Sequence, residues 1–167
     1  GLTEAGKELV SSCNQLGMLL DVSHLNEAGF WDIARLSDRP LMATHSNAHA
    51  LCPSPRNLTD RQLDAIAEQG GIVGVCFATA YLRADGAKQP DTELELIIRQ
   101  LDYLITRLGE DYVGLGSDFD GAVLPSSLQK CTYLPDLVWQ MKQAGFDEAL
   151  ICKICSDNWL AYLNRYL

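Results

Sequence analysis

Two of the three histidines close short apolar runs, Leu19-Leu20-Asp21-Val22-Ser23-His24 and Leu41-Met42-Ala43-Thr44-His45. A third run, Tyr112-Val113-Gly114-Leu115-Gly116-Ser117, is followed by Asp118. Side chains that follow parallel strands of an α/β sheet converge on one rim, where ligands bind and chemistry is done. Two imidazoles and a carboxylate on such a rim would suit part of a metal-hydrolase site. Neutral imidazole is a zinc ligand, and a carboxylate within reach can move protons. A single His after an apolar run is more often a structural hydrogen-bonding residue than a metal ligand. Two at successive strand ends bring the two readings to about even, because a zinc site draws its ligands from rigid elements.

Other residues join this set with alternatives left open. Arg56 lies in Cys52-Pro53-Ser54-Pro55-Arg56-Asn57, where two prolines stiffen the loop. Its guanidinium is either a preplaced clamp for a carboxylate or a solvated surface group. Asp21, three residues before His24, is either support for a ligand or an ordinary buried hydrogen-bonding group. His49 ranks below His24 and His45, and Asp120 reads as a turn former before Gly121. Nucleophilic catalysis has no signature, since Gly-x-Ser-x-Gly is absent and no cysteine has a His partner at a known spacing. Phosphate-binding glycine loops are absent as well.

The elements that would carry these residues alternate between helix and strand. Thr3 caps a helix over 4–16 with Leu9, Cys13 and Leu16 on one face, closed by Gly17. Strands follow at Met18–Ser23, Leu41–Thr44, Ile72–Phe77 and Tyr112–Ser117. Asn26 caps the helix that ends at Leu36, before Pro40. Thr59-Asp60-Arg61-Gln62 is a capping box flanked by the Leu58/Leu63 pair of a hydrophobic staple, and that helix stops at Gly70-Gly71. Thr92-Glu93-Leu94-Glu95 reads as a second capping box, opening a long helix closed by Gly109. Helical segments near 134–144, 147–154 and 157–166 finish the chain. Ile72–Phe77 is apolar at nearly every position, as a strand covered on both faces should be. The strand starts fall 23, 31 and 40 residues apart and bracket the ~30-residue repeat of a (β/α)8 barrel. Four units are present where a closed barrel needs eight, so the expectation is either an open sheet or half a barrel.

The composition bounds the partners. The chain has 167 residues, 47% of them hydrophobic, and a formal net charge of −9. One domain over 1–167 is expected. A balance this acidic, with no basic stripe, argues against nucleic acid. No apolar run reaches the ~20 residues of a membrane span, and the start at Gly1 rather than Met suggests a processed or excised piece. Six cysteines in a chain able to build an apolar core read as free thiols. Cys13 and Cys76 lie on apolar faces, and Cys152-x-x-Cys155 sits in a helical stretch without a second pair. A reduced, cytoplasmic protein is the resulting expectation.

At Leu16–His24, Thr44-His45-Ser46-Asn47-Ala48, Pro55–Asp60, Gly70–Val75 and Val113–Gly121, and at Gly1–Gly6, the chain resembles the membrane dipeptidase (renal dipeptidase) family of zinc metallo-peptidases. The segments occur in the family's order over almost the whole chain. The resemblance implies a (β/α)8 TIM-type barrel with two zinc ions bridged by a carboxylate and a hydroxide that attacks a dipeptide. It implies that His24 and His45 bind one zinc. It further implies that Arg56 takes the substrate's C-terminal carboxylate and that Asp118 handles protons as the catalytic residue. The family's first half supplies a His-x-Asp pair, the bridging Glu and a further His, and no His-x-Asp occurs here. The chain therefore resembles the carboxyl-terminal half of the barrel, expected to be inactive by itself and to pair with an amino-terminal half or with a second copy through its open sheet edges. Another amidohydrolase-type barrel enzyme and a non-catalytic half-barrel binding module are the alternatives.

Overall fold

The computed structural model describes residues 1–167. Helix α1 (Glu4–Leu16) starts where Thr3 Oγ1 accepts from Gly6 N and ends at Gly17, whose φ of 70° is the left-handed turn glycine supplies without strain. Helix α2 (Glu27–Leu36) is capped by Asn26, whose side-chain oxygen accepts from Gly29 N at 2.8 Å. Of the expected α1 face, Cys13 is buried together with Val10, but Leu9 and Leu16 remain 64% and 74% exposed. Helix α1 packs chiefly against α2 alone, so only one flank of its apolar stripe is covered.

Strand β1 (Met42–Ala43) leads through α3 (Asp60–Glu68) to β2 (Ile72–Cys76). The single turn α4 (Thr79–Leu82) and the long α5 (Glu95–Leu108) precede β3 (Val113–Ser117). The three strands form a parallel sheet in the order β1-β2-β3, with Ala43 opposite Val73 and Val73 opposite Val113. The first expected strand, Met18–Ser23, contracts to one bridge between Asp21 and Met42, in which Val22 N donates to Met42 O at 2.8 Å. The Asp21 carboxylate accepts Thr44 N, so a side chain takes over where a further ladder bond would form. The Thr59 box forms as expected, with Thr59 N donating to Gln62 Oε1 at 2.9 Å. The Thr92 box does not. Thr92 Oγ1 and N turn back to Gln89 O and Pro90 O, and α5 begins two residues later than that box would start it, at Glu95.

A continuous core of 27 buried residues lies on one face of the sheet. Val73, Val75, Phe77 and Val113 pack there with Leu63 and Ile66 of α3 and Ile97, Leu101 and Leu104 of α5. Each such side chain contributes about 1.5–3 kcal/mol of burial. The alternate positions Gly74, Gly114 and Gly116 face the other way. Helices α6 (Leu134–Gln143), α7 (Glu148–Cys152) and α8 (Asn158–Tyr166) follow, with a π-helical stretch at Lys153–Asp157 joining α7 to α8. Trp159 of α8 fills the space over the glycines. A Cβ on Gly114 would lie 2.3 Å from Trp159 Nε1, and that indole donates to Leu115 O at 3.1 Å. Asn158 Nδ2 donates to Val113 O and Tyr162 Oη to Pro40 O, pinning α8 to the sheet.

Candidate active site

His24 and His45 meet at the carboxyl end of the sheet. The Asp21 bridge holds the chain beside β1, and the following turn puts His24 at φ 69°, a left-handed conformation uncommon outside glycine. Its Nε2 lies 2.8 Å from Nε2 of His45, with ring centroids 4.9 Å apart. Two ring nitrogens turned toward one point are what a bound metal needs. A tetrahedral ion with zinc–nitrogen bonds near 2.0–2.1 Å would hold them about 3.3 Å apart, a separation of about half an ångström more. The far side of His45 is fixed, since Nδ1 lies 2.7 Å from Thr44 Oγ1, which donates to Asp21 Oδ2. Burial first, and the Arg56 charge second, hold the His45 pKa below its ordinary value and favour the neutral, ligating form. No cluster of three or more His, Cys, Asp or Glu forms around the pair. The chain thus offers two imidazole donors that fit a metal and leaves its other coordination positions to groups outside this set.

Arg56 reaches the same rim from its proline-stiffened loop. Its guanidinium donates to His45 O at 2.8 Å and Ser46 Oγ at 3.0 Å, and its carbon lies 5.7 Å from the centroid of the Tyr81 ring. Nε is buried without a hydrogen-bond partner. Asn57 anchors the loop beneath it, donating to Cys52 O and Tyr81 O. His24, His49 and Arg56 line one cavity of about 240 Å³.

Asp118 is aimed by an irregularity in β3. Val75 pairs with Leu115 but Cys76 pairs with Ser117, so Gly116 is an extra residue and the strand bulges. Ser117 and Asp118 follow at φ 42° and 73°. Asp118 then lines a cavity of about 620 Å³ shared with His24, Tyr81 and Lys88. Asp120 is also on that cavity wall at φ 62°, beyond the turn role read from its sequence. Cys76 Sγ lies 3.7 Å from Asp118 Oδ2, and burial pushes the thiol up to about 12.

Two supporting residues carried no signal strong enough to single them out. Asn47 is fully buried and pairs with both backbone groups of Cys76, accepting from its N and donating to its O, each at 3.0 Å. Thr44 carries the contact between Asp21 and His45. Both lie in loops, where the side-chain partner depends on the register between strands.

An α/β chain that gathers two imidazoles, a guanidinium and a carboxylate at the carboxyl ends of a parallel sheet has the form of a metal-dependent hydrolase. This chain belongs to the membrane dipeptidase family, peptidase family M19, whose sequence profile matches residues 1–165. It is similar in structure to dipeptidase AC, an M19 metallo peptidase, at 57% identity and TM-score 0.97, covering 99% of this chain and 49% of that one. It is similar to a Rhodobacter sphaeroides metallo peptidase liganded with a phosphinate mimic of L-Ala-D-Ala, at 56% identity and TM-score 0.98, covering 100% of this chain and 48% of that one. A Klebsiella pneumoniae protein from the pqqA 5′ region is 53% identical over 165 residues, covering 99% of this chain and 61% of that protein. The chain thus spans about half the length of the solved structures it matches. No helix is long and apolar enough to cross a membrane.

Proposed function

We propose that this chain, folded as one domain over 1–167, is the carboxyl-terminal half of a (β/α)8 zinc dipeptidase. The observation that carries this reading is the convergence of His24 Nε2 and His45 Nε2 beside the Arg56 guanidinium. The dipeptide mimic bound to the Rhodobacter sphaeroides relative supports a dipeptide as substrate. In the complete barrel His24 and His45 hold one zinc of a pair, whose other ligands come from the amino-terminal half. A zinc held there by His24 and His45 would lower the pKa of a water toward ~7 and polarise the scissile carbonyl.

The remaining work falls to the chain's own residues. Arg56 binds the substrate's C-terminal carboxylate, its charge stabilised over the Tyr81 face. That contact fixes one end of the dipeptide and leaves its peptide bond near the histidines. Asp118, across the 620 Å³ cavity from His24, accepts a proton from the attacking water and passes it to the leaving amine. By itself the chain lacks the other metal ligands and is inactive. It pairs with the amino-terminal half through its open sheet edges. Six cysteines without a disulfide fit a reducing, cytoplasmic compartment.

The test is zinc content and L-Ala-D-Ala hydrolysis of the chain, alone and mixed with its amino-terminal half. Activity only on mixing, with close to two zincs per barrel, is expected. H24A and H45A should each abolish activity and lower the bound zinc. Full zinc and full activity in both variants overturns the assignment.

A further inference from the structure

We infer that Asp21 and Thr44 are positioning residues that set which nitrogen of His45 carries hydrogen, leaving Nε2 bare toward the metal. The inference rests on His45 being a metal ligand. It follows from counting hydrogens along a short chain of contacts. Asp21 Oδ1 accepts from Ser23 N and from Thr44 N, each at 3.0 Å. Asp21 Oδ2 accepts the hydroxyl hydrogen of Thr44. A hydroxyl has one hydrogen, so Thr44 Oγ1 can meet His45 Nδ1 at 2.7 Å only as an acceptor. The hydrogen between them therefore belongs to Nδ1. Neutral imidazole carries one N–H, which leaves Nε2 with its lone pair, turned toward His24.

The carboxylate is suited to this task. Burial works against its charge, but bonds from Thr44 and Ser23 outweigh that and hold its pKa below the ordinary carboxylate value. An ionised carboxylate has no hydrogen to give, so the chain of bonds runs in one direction only.

The near-isosteric D21N should reverse that direction. The position of Oδ1 faces two backbone N–H groups, so the amide must keep its oxygen there. Its NH2 group then faces Thr44 Oγ1 and donates to it. The Thr44 hydroxyl turns its own hydrogen to His45 Nδ1, which must be bare, and the imidazole hydrogen moves to Nε2. T44V removes the hydroxyl without changing volume and leaves neither tautomer selected. T44S keeps the hydroxyl and should behave as the native residue.

Long-range ¹⁵N–¹H correlation of His45 in the metal-free, full-length protein reads the tautomer directly, and competition with a chelator reads zinc affinity. The expected pattern is the Nδ1–H form in native protein and T44S, and the Nε2–H form in D21N. Zinc affinity should fall about 10- to 100-fold in D21N and T44V, with T44S restoring it. His45 in the Nδ1–H form in folded D21N, or undiminished zinc affinity in both D21N and T44V, overturns the inference. Reversal of the tautomer in a protein whose native form takes up no zinc supports the hydrogen-bond chain and overturns the metal reading instead.

Discussion

Asn47 lies between the two loops that bear the site, two residues from His45 and bonded to Cys76 beside Asp118. Truncation to alanine removes three hydrogen bonds made by a side chain with no solvent exposure. Tyr81 O, the third partner, keeps Asn57 Nδ2 at 2.9 Å, so the loss concentrates on the amide and carbonyl of Cys76. Each buried group left without a partner costs about 1–3 kcal/mol, which for these two makes N47A less stable by about 2–6 kcal/mol. That is a large share of a typical domain's 5–15 kcal/mol. Urea unfolding is the assay, with the shift read at constant m-value. N47D refines the test. One oxygen of the new carboxyl still accepts from Cys76 N, but the other faces the carbonyls of Cys76 and Tyr81, so the ionised form is excluded and the folded pKa rises above the unfolded value of ~3.9. A raised folded pKa gives stability that is complete below the unfolded pKa and lost as pH rises. The gap between N47D and native protein should therefore widen from about pH 4 upward. An N47A variant within about 1 kcal/mol of native, or an N47D gap that ignores pH, would falsify this account of the strand ends.

Two more expectations follow from the same rim. In G116A the new Cβ would lie 2.1 Å from Thr44 O and 2.8 Å from His45 Cα, both backbone atoms that have little room to yield. Overpacking of this kind costs about 3 kcal/mol or more, and zinc binding should weaken as His45 shifts, while G86A, whose Cβ meets nothing, should lower the melting temperature far less. For the thiols, the exposed Cys131 and Cys152 should alkylate readily at pH 8 and the buried Cys76 only on unfolding. Because burial raises Cys76 from 9.0 to about 12, the stability tied to its protonated form is complete below pH 9.0 and lost as pH rises toward 12. C76S should flatten the alkaline fall of the urea midpoint, and an equal fall in both proteins would contradict that origin.

The histidine pair was legible because a parallel sheet puts strand ends on one rim, an inference that needs only strand positions. The position of Arg56 on the rim is readable for a similar reason, since Pro53 and Pro55 limit where its loop can go, but spacing does not separate a clamp from a surface group. The Met18–Ser23 run does not form the strand its pattern predicts. Its residues have the apolar pattern, but the run pairs on one side only and Asp21 spends its carboxylate on Thr44 N. Thr92 shows the limit of a local motif, because Gln89 O and Pro90 O compete for the groups a capping box would use. The bulge that aims Asp118 and the Asn47 clasp depend on register between strands, which no local spacing records. Glycines at 74, 114 and 116 do signal close approach, but the tryptophan that approaches lies far along the chain.

That tryptophan also bears on how the chain is made. Trp159 lies 44 residues beyond its hydrogen-bond partner Leu115, and Tyr162 lies 122 residues beyond Pro40. At ribosomal speeds of about 5–20 residues per second, β3 waits roughly 2–9 s for its indole and the start of β1 roughly 6–24 s for its phenol. Through that interval the nascent sheet can cover one face with α3 and α5, while the glycine face stays bare. A sheet bare on one side is a target for chaperones and for the same segment of a neighbouring nascent chain. Translation of α8 thus acts as a timing step, after which both faces of the sheet are closed.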